Sequence, residues 1–400
     1  MVRIRIYRQL SFSARIISMN LTKVSIMLKK AGKWVFLVIG IYYVVLLLII
    51  PGGKMAVKAL LTKKEPPVLT YGLLAQLEFS EKRILNATPE YVLNTKNGRL
   101  PTGLPAQLPI YQFKPIQFSY LAGKNAITDA TRLSFEEKDM SSDLKGDTYV
   151  WSNSITKSTL TIELETRTLN LNTDLTGSGN NYIPGSVNSQ KAPVTATQLL
   201  TDIYRFDKLY ENGTQHITLG SFQGNKVYET TDANRDAQVA RIDYYRTIGS
   251  YPIFGPDPSE GLLRVFIGNP PPGNTPLKNP IMSVNYWEII PQTKSQYPII
   301  SVSEAWSAVK SGKGIISRLF QRGSNPFDSY VPLTVEQILI DNVYLGYYET
   351  PKYQAYLQPI YIFSGTYTTR GSPGGDITIY FPAVSGQYTK QGSTGTTPKK

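Results

Sequence analysis

The 400-residue chain contains no cysteine and a single histidine, His216. Without cysteine there is no disulfide framework, no thiol nucleophile and no thiolate metal site. A lone histidine has no second member for a zinc site or a His-based triad, so His216 reads as a surface residue and no cofactor is expected. Acidic residues are absent from one end. Residues 1 to 64 hold twelve Lys and Arg and no Asp or Glu, and the seventeen residues Trp34 to Ile50, WVFLVIGIYYVVLLLII, carry no charge at all.

At about 1.5 Å per residue a helix of that run spans about 25 Å, near the short limit for a hydrocarbon core of about 30 Å. Lys33 and Lys54 flank it with side chains long enough to snorkel, Trp34 suits one interface, and Pro51-Gly52-Gly53 stops the helix. No small-x-small cleavage site follows in PGGKMAVKALL (51–61), which favours a retained anchor over a signal peptide. Eight basic residues precede the run and four follow within fourteen residues. The excess predicts a cytoplasmic N-terminus, a single-pass location in the cell membrane with lipid around 34–50, and residues 65–400 outside.

The net charge of +13 resides in that end: residues 65–400 hold 30 basic and 29 acidic side chains. A neutral folded part argues against nucleic acid as a partner, because phosphate binding needs a basic face on the folded domain. With 27 tyrosines, 27 prolines and 31 glycines, the outer part is too aromatic for a disordered stalk.

Helical spacing predicts helices over 124–135, 196–206 and 303–310, the last with Ser303 as N-cap and Gly312 beyond its end. Period-two alternation predicts strands at 147–151, 158–164, 168–172, 226–230, 239–248, 262–268, 281–290, 338–349, 357–368 and 376–384. The expected fold class is α+β: one N-terminal transmembrane helix followed by β-rich outer modules, antiparallel sheets with helices on one face. The expected divisions are a basic cytoplasmic arm (1–33), the transmembrane helix (34–50), a linker (51–67), modules at 68–175, 194–290 and 291–385 with a loop at 176–193, and a disordered tail (386–400).

In the third module, YPIISVSEAWSAVKSGKG (297–314), VYLGYYETPKYQAYLQPIYIFSGTY (343–367) and YFPAV (380–384) resemble the YycH/YycI-type extracytoplasmic regulators. Trp306, Tyr347-Tyr348, Gln358-Pro359, Phe363 and Gly365 carry the likeness, with RIDYYR (241–246) as an upstream element. The resemblance implies PepSY-like modules and an envelope protein that binds another membrane protein, such as a sensor kinase, without turning over substrate.

Three motifs look catalytic. Ser154-x-x-Lys157, Ser178-Gly-Asn180 and Lys310-Ser-Gly312 match the short motifs of penicillin-binding proteins, but Ser154 lies between strand patterns where a helix start is required. Asp232, Asn234 and Asp236 have Ca²⁺-loop spacing, with Asp243 at the twelfth place, yet Ala237 stands where the loop needs Gly. Glu163 and Glu165 alternate onto one strand face, where exposed carboxylates are common.

Tyrosine is the remaining signature. Tyr347, Tyr348, Tyr356 and Tyr361, with Trp306, are the candidate interface residues, because rigid amphipathic rings suit protein interfaces. Ordinary core packing is the competing reading, and adjacent Tyr347 and Tyr348 must point to opposite faces, so at most one is expected in the core. The expected function is non-enzymatic: binding, and regulation, of an integral membrane or envelope protein. A cell-wall glycan-binding or surface-scaffold role is the alternative.

Overall fold

The computed structural model describes residues 69–390 apart from 87–88, 117–118, 142–146, 174–181, 186, 188, 232–235, 269–280 and 371. All belong to one unit, Pro67–Lys400. Two sheets organise it, with strands numbered along the chain.

The nine-stranded sheet takes β1 (Glu90–Leu93), β2 (Gln107–Phe113), β9 (Thr247–Ile248), β10 (Tyr251–Phe254), β13 (Ile289–Pro298), β14 (Ile315–Gln321), β15 (Gln337–Tyr348), β16 (Tyr356–Thr369) and β17 (Ser372–Pro382). Its main path runs β13-β2-β16-β15-β10-β9. β17 lies against β16 and carries β14, while β1 pairs in parallel with β15. The eight-stranded sheet runs β3 (Thr148–Asn153), β4 (Ser158–Glu163), β5 (Leu169–Thr173), β12 (Ile281–Val284), β11 (Leu263–Gly268), β8 (Val239–Tyr245), β6 (Thr214–Gln223) and β7 (Lys226–Glu229). Every pairing in it is antiparallel.

Alternation builds the strands that face water on one side: Leu169, Leu171 and Thr173 of β5 are buried, while Asn170 and Asn172 are exposed. Helices α1 (Ala122–Arg132) and α2 (Lys191–Asp202) pack on β3 and on β8 and β11, burying Ala126, Ala130, Ala196 and Leu200 against Leu160, Ile242 and Val265. Both end in one way. Phe135 N–H donates to Ala130 O (3.0 Å) and Ser134 N–H to Thr131 O (3.0 Å); Arg205 N–H donates to Leu200 O (2.8 Å) and Tyr204 N–H to Thr201 O (2.9 Å). These are Schellman pairs, and the residue that must turn left-handed is Ser134 (φ 68°) or Tyr204 (φ 56°) in place of the usual glycine. A one-turn helix α3 (Lys208–Glu211) follows, capped by Asp207. On the nine-stranded sheet, α4 (Val302–Ala308) buries Trp306, whose ring stacks on Phe363 at 5.8 Å. Its cap is Ser301, which accepts from Glu304 N–H, rather than Ser303.

The sequence expectation is corrected on two counts. Among the described residues no helix is long and apolar enough to cross a membrane. The longest, α2, has 12 residues, or about 18 Å, against a hydrocarbon core of about 30 Å. The run 34–50, with Trp34, Lys33 and Lys54, lies outside the described residues, as do the arm 1–33 and the linker 51–67. The single-pass placement in the cell membrane, N-terminus inside and 65–400 outside, is therefore withdrawn. The second count concerns assembly: β1 and β2 find their partners in β13, β15 and β16, so the nine-stranded sheet joins both ends of the folded chain instead of closing within consecutive α+β modules. Local periodicity reports strands but carries no information about partners that distant.

Candidate functional site

Between the sheets, at the β7 edge, lies a cleft of about 700 Å³, within the range of ligand pockets. Its floor is β14, where Arg318 and Phe320 face it; its walls are the turn after β10 (Asp257 to Glu260), Lys82, and the connection from β14 to β15.

That connection is a long loop rich in turn formers. Gly323 supplies the left-handed turn (φ 84°), and Asn325 then replaces a strand: its side-chain amide donates to Val227 O (2.8 Å) while its Oδ1 accepts from Glu229 N–H (3.2 Å). Both bonds cap the outer edge of β7, which would otherwise offer unpaired backbone groups. Pro326 O accepts from Arg241 (3.0 Å), and the same guanidinium lies over Phe327 at 5.2 Å. Asn325→Ala therefore removes two loop anchors at once. A stability loss of about 1–2 kcal/mol is expected in urea denaturation, with new self-association through the freed edge visible in light scattering.

Charges in the cleft are unequally satisfied. Asp257 Oδ1 accepts from Ser259 N–H (3.0 Å) and Oγ–H (2.7 Å), and its Oδ2 is 3.5 Å from Lys82 Nζ. Lys82 also lies 5.4 Å over the Tyr330 ring. Glu260 pairs with Arg264 at 3.0 Å. Burial pushes its carboxyl up, but Arg264 overrides that and holds it below the usual carboxylate range. Behind it, fully buried Asp243 accepts from Arg241 (2.9 Å), Arg264 (2.8 Å) and Gly261 N–H (2.9 Å). Arg318 is different. Its Nε is buried with no hydrogen-bond partner among the described residues, and its guanidinium lies 5.2 Å from the Phe320 ring centre.

The residues singled out from sequence lie elsewhere. Tyr347, Tyr348, Tyr361 and Trp306 are buried, and Tyr356 is half-buried, stacked on Tyr71 at 4.6 Å. Tyr347 OH donates to Pro109 O (2.7 Å), Tyr348 OH to Glu78 O (3.1 Å) and Tyr361 OH to Ile300 O (2.7 Å). The expectation that only one of Tyr347 and Tyr348 is core fails because chain covers both faces of β15: Tyr111 and Tyr251 on one side, Phe79 and Tyr380 on the other.

The other motifs disperse too. Ser154 sits in the β3–β4 turn, Ser178 and Asn180 lie outside the described residues, and Lys310 covers the Trp306 ring at 5.7 Å. Asp232 and Asn234 also lie outside them, and Asp243 is taken by two arginines. Glu165 falls in the turn after β4 ends at Glu163, so the two do not share a strand face. His216 is exposed on β6. Arg318, Lys82, Asp257 and Asn325 escaped notice because no local spacing joins them; the one available signal was the Gly/Asn/Pro-rich loop after β14.

No family model matches the chain, and no curated protein does. Among solved structures, an uncharacterized protein from Eubacterium rectale ATCC 33656 is similar over 76% of this chain and 91% of that one, at 10% identity and a TM-score of 0.42. Likeness at that level carries no argument about function, and none of these findings bears on the YycH/YycI resemblance.

Proposed function

We propose that this chain is a non-enzymatic binding protein that receives a segment of a partner protein in the cleft between its two sheets. The observation that carries this reading is Arg318, which lines the cleft with no carboxylate within ion-pair distance among the described residues. A guanidinium carries five N–H donors in a planar fork, and its terminal nitrogens can offer theirs to a carboxylate or carbonyl of a ligand. Of the carboxylates that line the cleft, Asp257 is held by Ser259 and Lys82 and Glu260 by Arg264. They hold the walls of the cleft. Around Arg318 stand Phe320, Tyr330 and exposed Val331, the mixture of arginine, aromatic and apolar surface that concentrates binding energy at protein interfaces.

The test places a photo-crosslinking amino acid at Val331 of the full chain, in its own cells, with and without Arg318→Ala. Because Arg318 makes no bond through Nε, its removal should move the unfolding midpoint by no more than about 2 °C while lowering the yield of one discrete protein adduct about tenfold. An adduct yield indifferent to Arg318 overturns the reading. So does capture of wall polysaccharide alone, which would make the cleft a glycan site.

A further inference from the structure

We infer that the patch formed by Arg132, Arg167 and Arg205 on the helical side of the eight-stranded sheet binds a small dianionic oxyanion, phosphate or sulfate. The three guanidiniums converge on one carboxylate. Asp129 Oδ2 takes Arg167 at 2.8 Å and Arg205 at 3.2 Å, and its Oδ1 is 3.5 Å from Arg132. No second carboxylate among the described residues is within ion-pair distance of the three, so the cluster holds two positive charges in excess. Asp129 and Arg205 are buried, whereas Arg132 and Arg167 keep 33% and 40% of their side chains exposed. Arg205 spends its remaining reach on the carbonyls of Ile203 and Tyr204. Arg132 and Arg167 thus present their outer N–H groups to solvent, in the planar forks that suit phosphate and sulfate oxygens.

The backbone supports the same assignment. Arg167 (φ 58°) and Tyr204 (φ 56°) both adopt the left-handed conformation that glycine occupies more cheaply. Each keeps instead a side chain that the patch uses: Arg167 supplies a fork, and the exposed Tyr204 ring is the shelf under Arg132, 4.8 Å away. Burial, together with repulsion from Arg167, brings Arg205 down to about 10. A bound dianion removes that repulsion and leaves the cluster neutral. This site lies on α1, α2 and the β4–β5 turn and involves no cleft residue, so it stands or falls apart from the reading of Arg318.

Titration calorimetry of the full chain with sodium phosphate, and separately with sodium sulfate, tests it, with sodium chloride at matched ionic strength as the blank. Saturable one-to-one binding is expected, weakened at least about tenfold by Arg167→Gln. Tyr204→Gly separates function from fold: it relieves the left-handed residue, so the unfolding midpoint without phosphate should hold or rise, while anion affinity falls. Binding of both anions marks a general dianion site and binding of phosphate alone a phosphoryl site, and either upholds the inference. Absence of saturable heat with both, or equal affinity in the wild type and Arg167→Gln, overturns it.

Discussion

Glu349→Ala should cost about 3–5 kcal/mol of stability, because it strands a charge that the fold has sealed from water. Arg246 is fully buried where the chain passes from β8 in one sheet to β9 in the other. It donates to Glu349, just past β15, and to Trp287 O (2.6 Å), lies 5.1 Å over the Tyr210 ring and 3.9 Å from Asp207. Groups from both sheets therefore meet on one guanidinium. Burial pushes the Glu349 carboxyl up while Arg246 pulls against it, and without Glu349 the nearest carboxylate to Arg246 is Asp207. The double variant Arg246→Met with Glu349→Leu should regain most of the loss, since well-packed apolar replacements of a buried pair are often neutral or better. Denaturant titration of the two single variants and the double variant measures the coupling. A single-variant loss below about 1 kcal/mol, the scale of an exposed ion pair, would overturn this account of the junction.

The same arginine shows what the sequence could and could not reveal. Residues 239–248 alternate as one strand, but the ladder breaks at Arg246 and the chain changes sheets there. The side-chain pattern runs through the break because both halves are strands. Where one face meets water, as in β4 and β5, alternation located the strands within one or two residues. It missed β1, β6, β10 and β14, and it could not show that β1 and β2 pair with strands more than 170 residues later. Tyrosine misled for a related reason: an amphipathic ring suits a rim or a core equally, and only the chain layered over both faces of β15 decides. The cleft depends on Lys82, Asp257 and Arg318, and the arginine patch on residues 129 to 205; both are juxtapositions that only the sheets create.

Gly365→Ala is the second substitution expected to be severe, with a loss of about 3 kcal/mol or more, at the upper end of overpacking costs. The structure supplies a physical reason for glycine at this position. A Cβ at this position would sit 1.9 Å from Leu339 O and 2.9 Å from Ile340 Cα, both backbone atoms of β15 that no rotamer change can clear. The crowding arises at a bulge, where the register of β15 on β16 shifts between Ile340 and Asn342 and the sheet bends. Gly375 meets the same limit on β17, where a Cβ would fall 1.8 Å from Phe320 O, so the bend crosses from β15 through β16 and β17 to β14 on glycines. Phe320 also lies in the floor of the cleft, which couples the bend to the binding site. Gly365→Ala should consequently lower both the unfolding midpoint and the Val331 adduct yield, whereas Gly386→Ala, at a glycine with open space around it, should change neither. A Gly365→Ala protein of wild-type stability would show that β15 and β16 separate without cost, and the proposed bend would have to be abandoned.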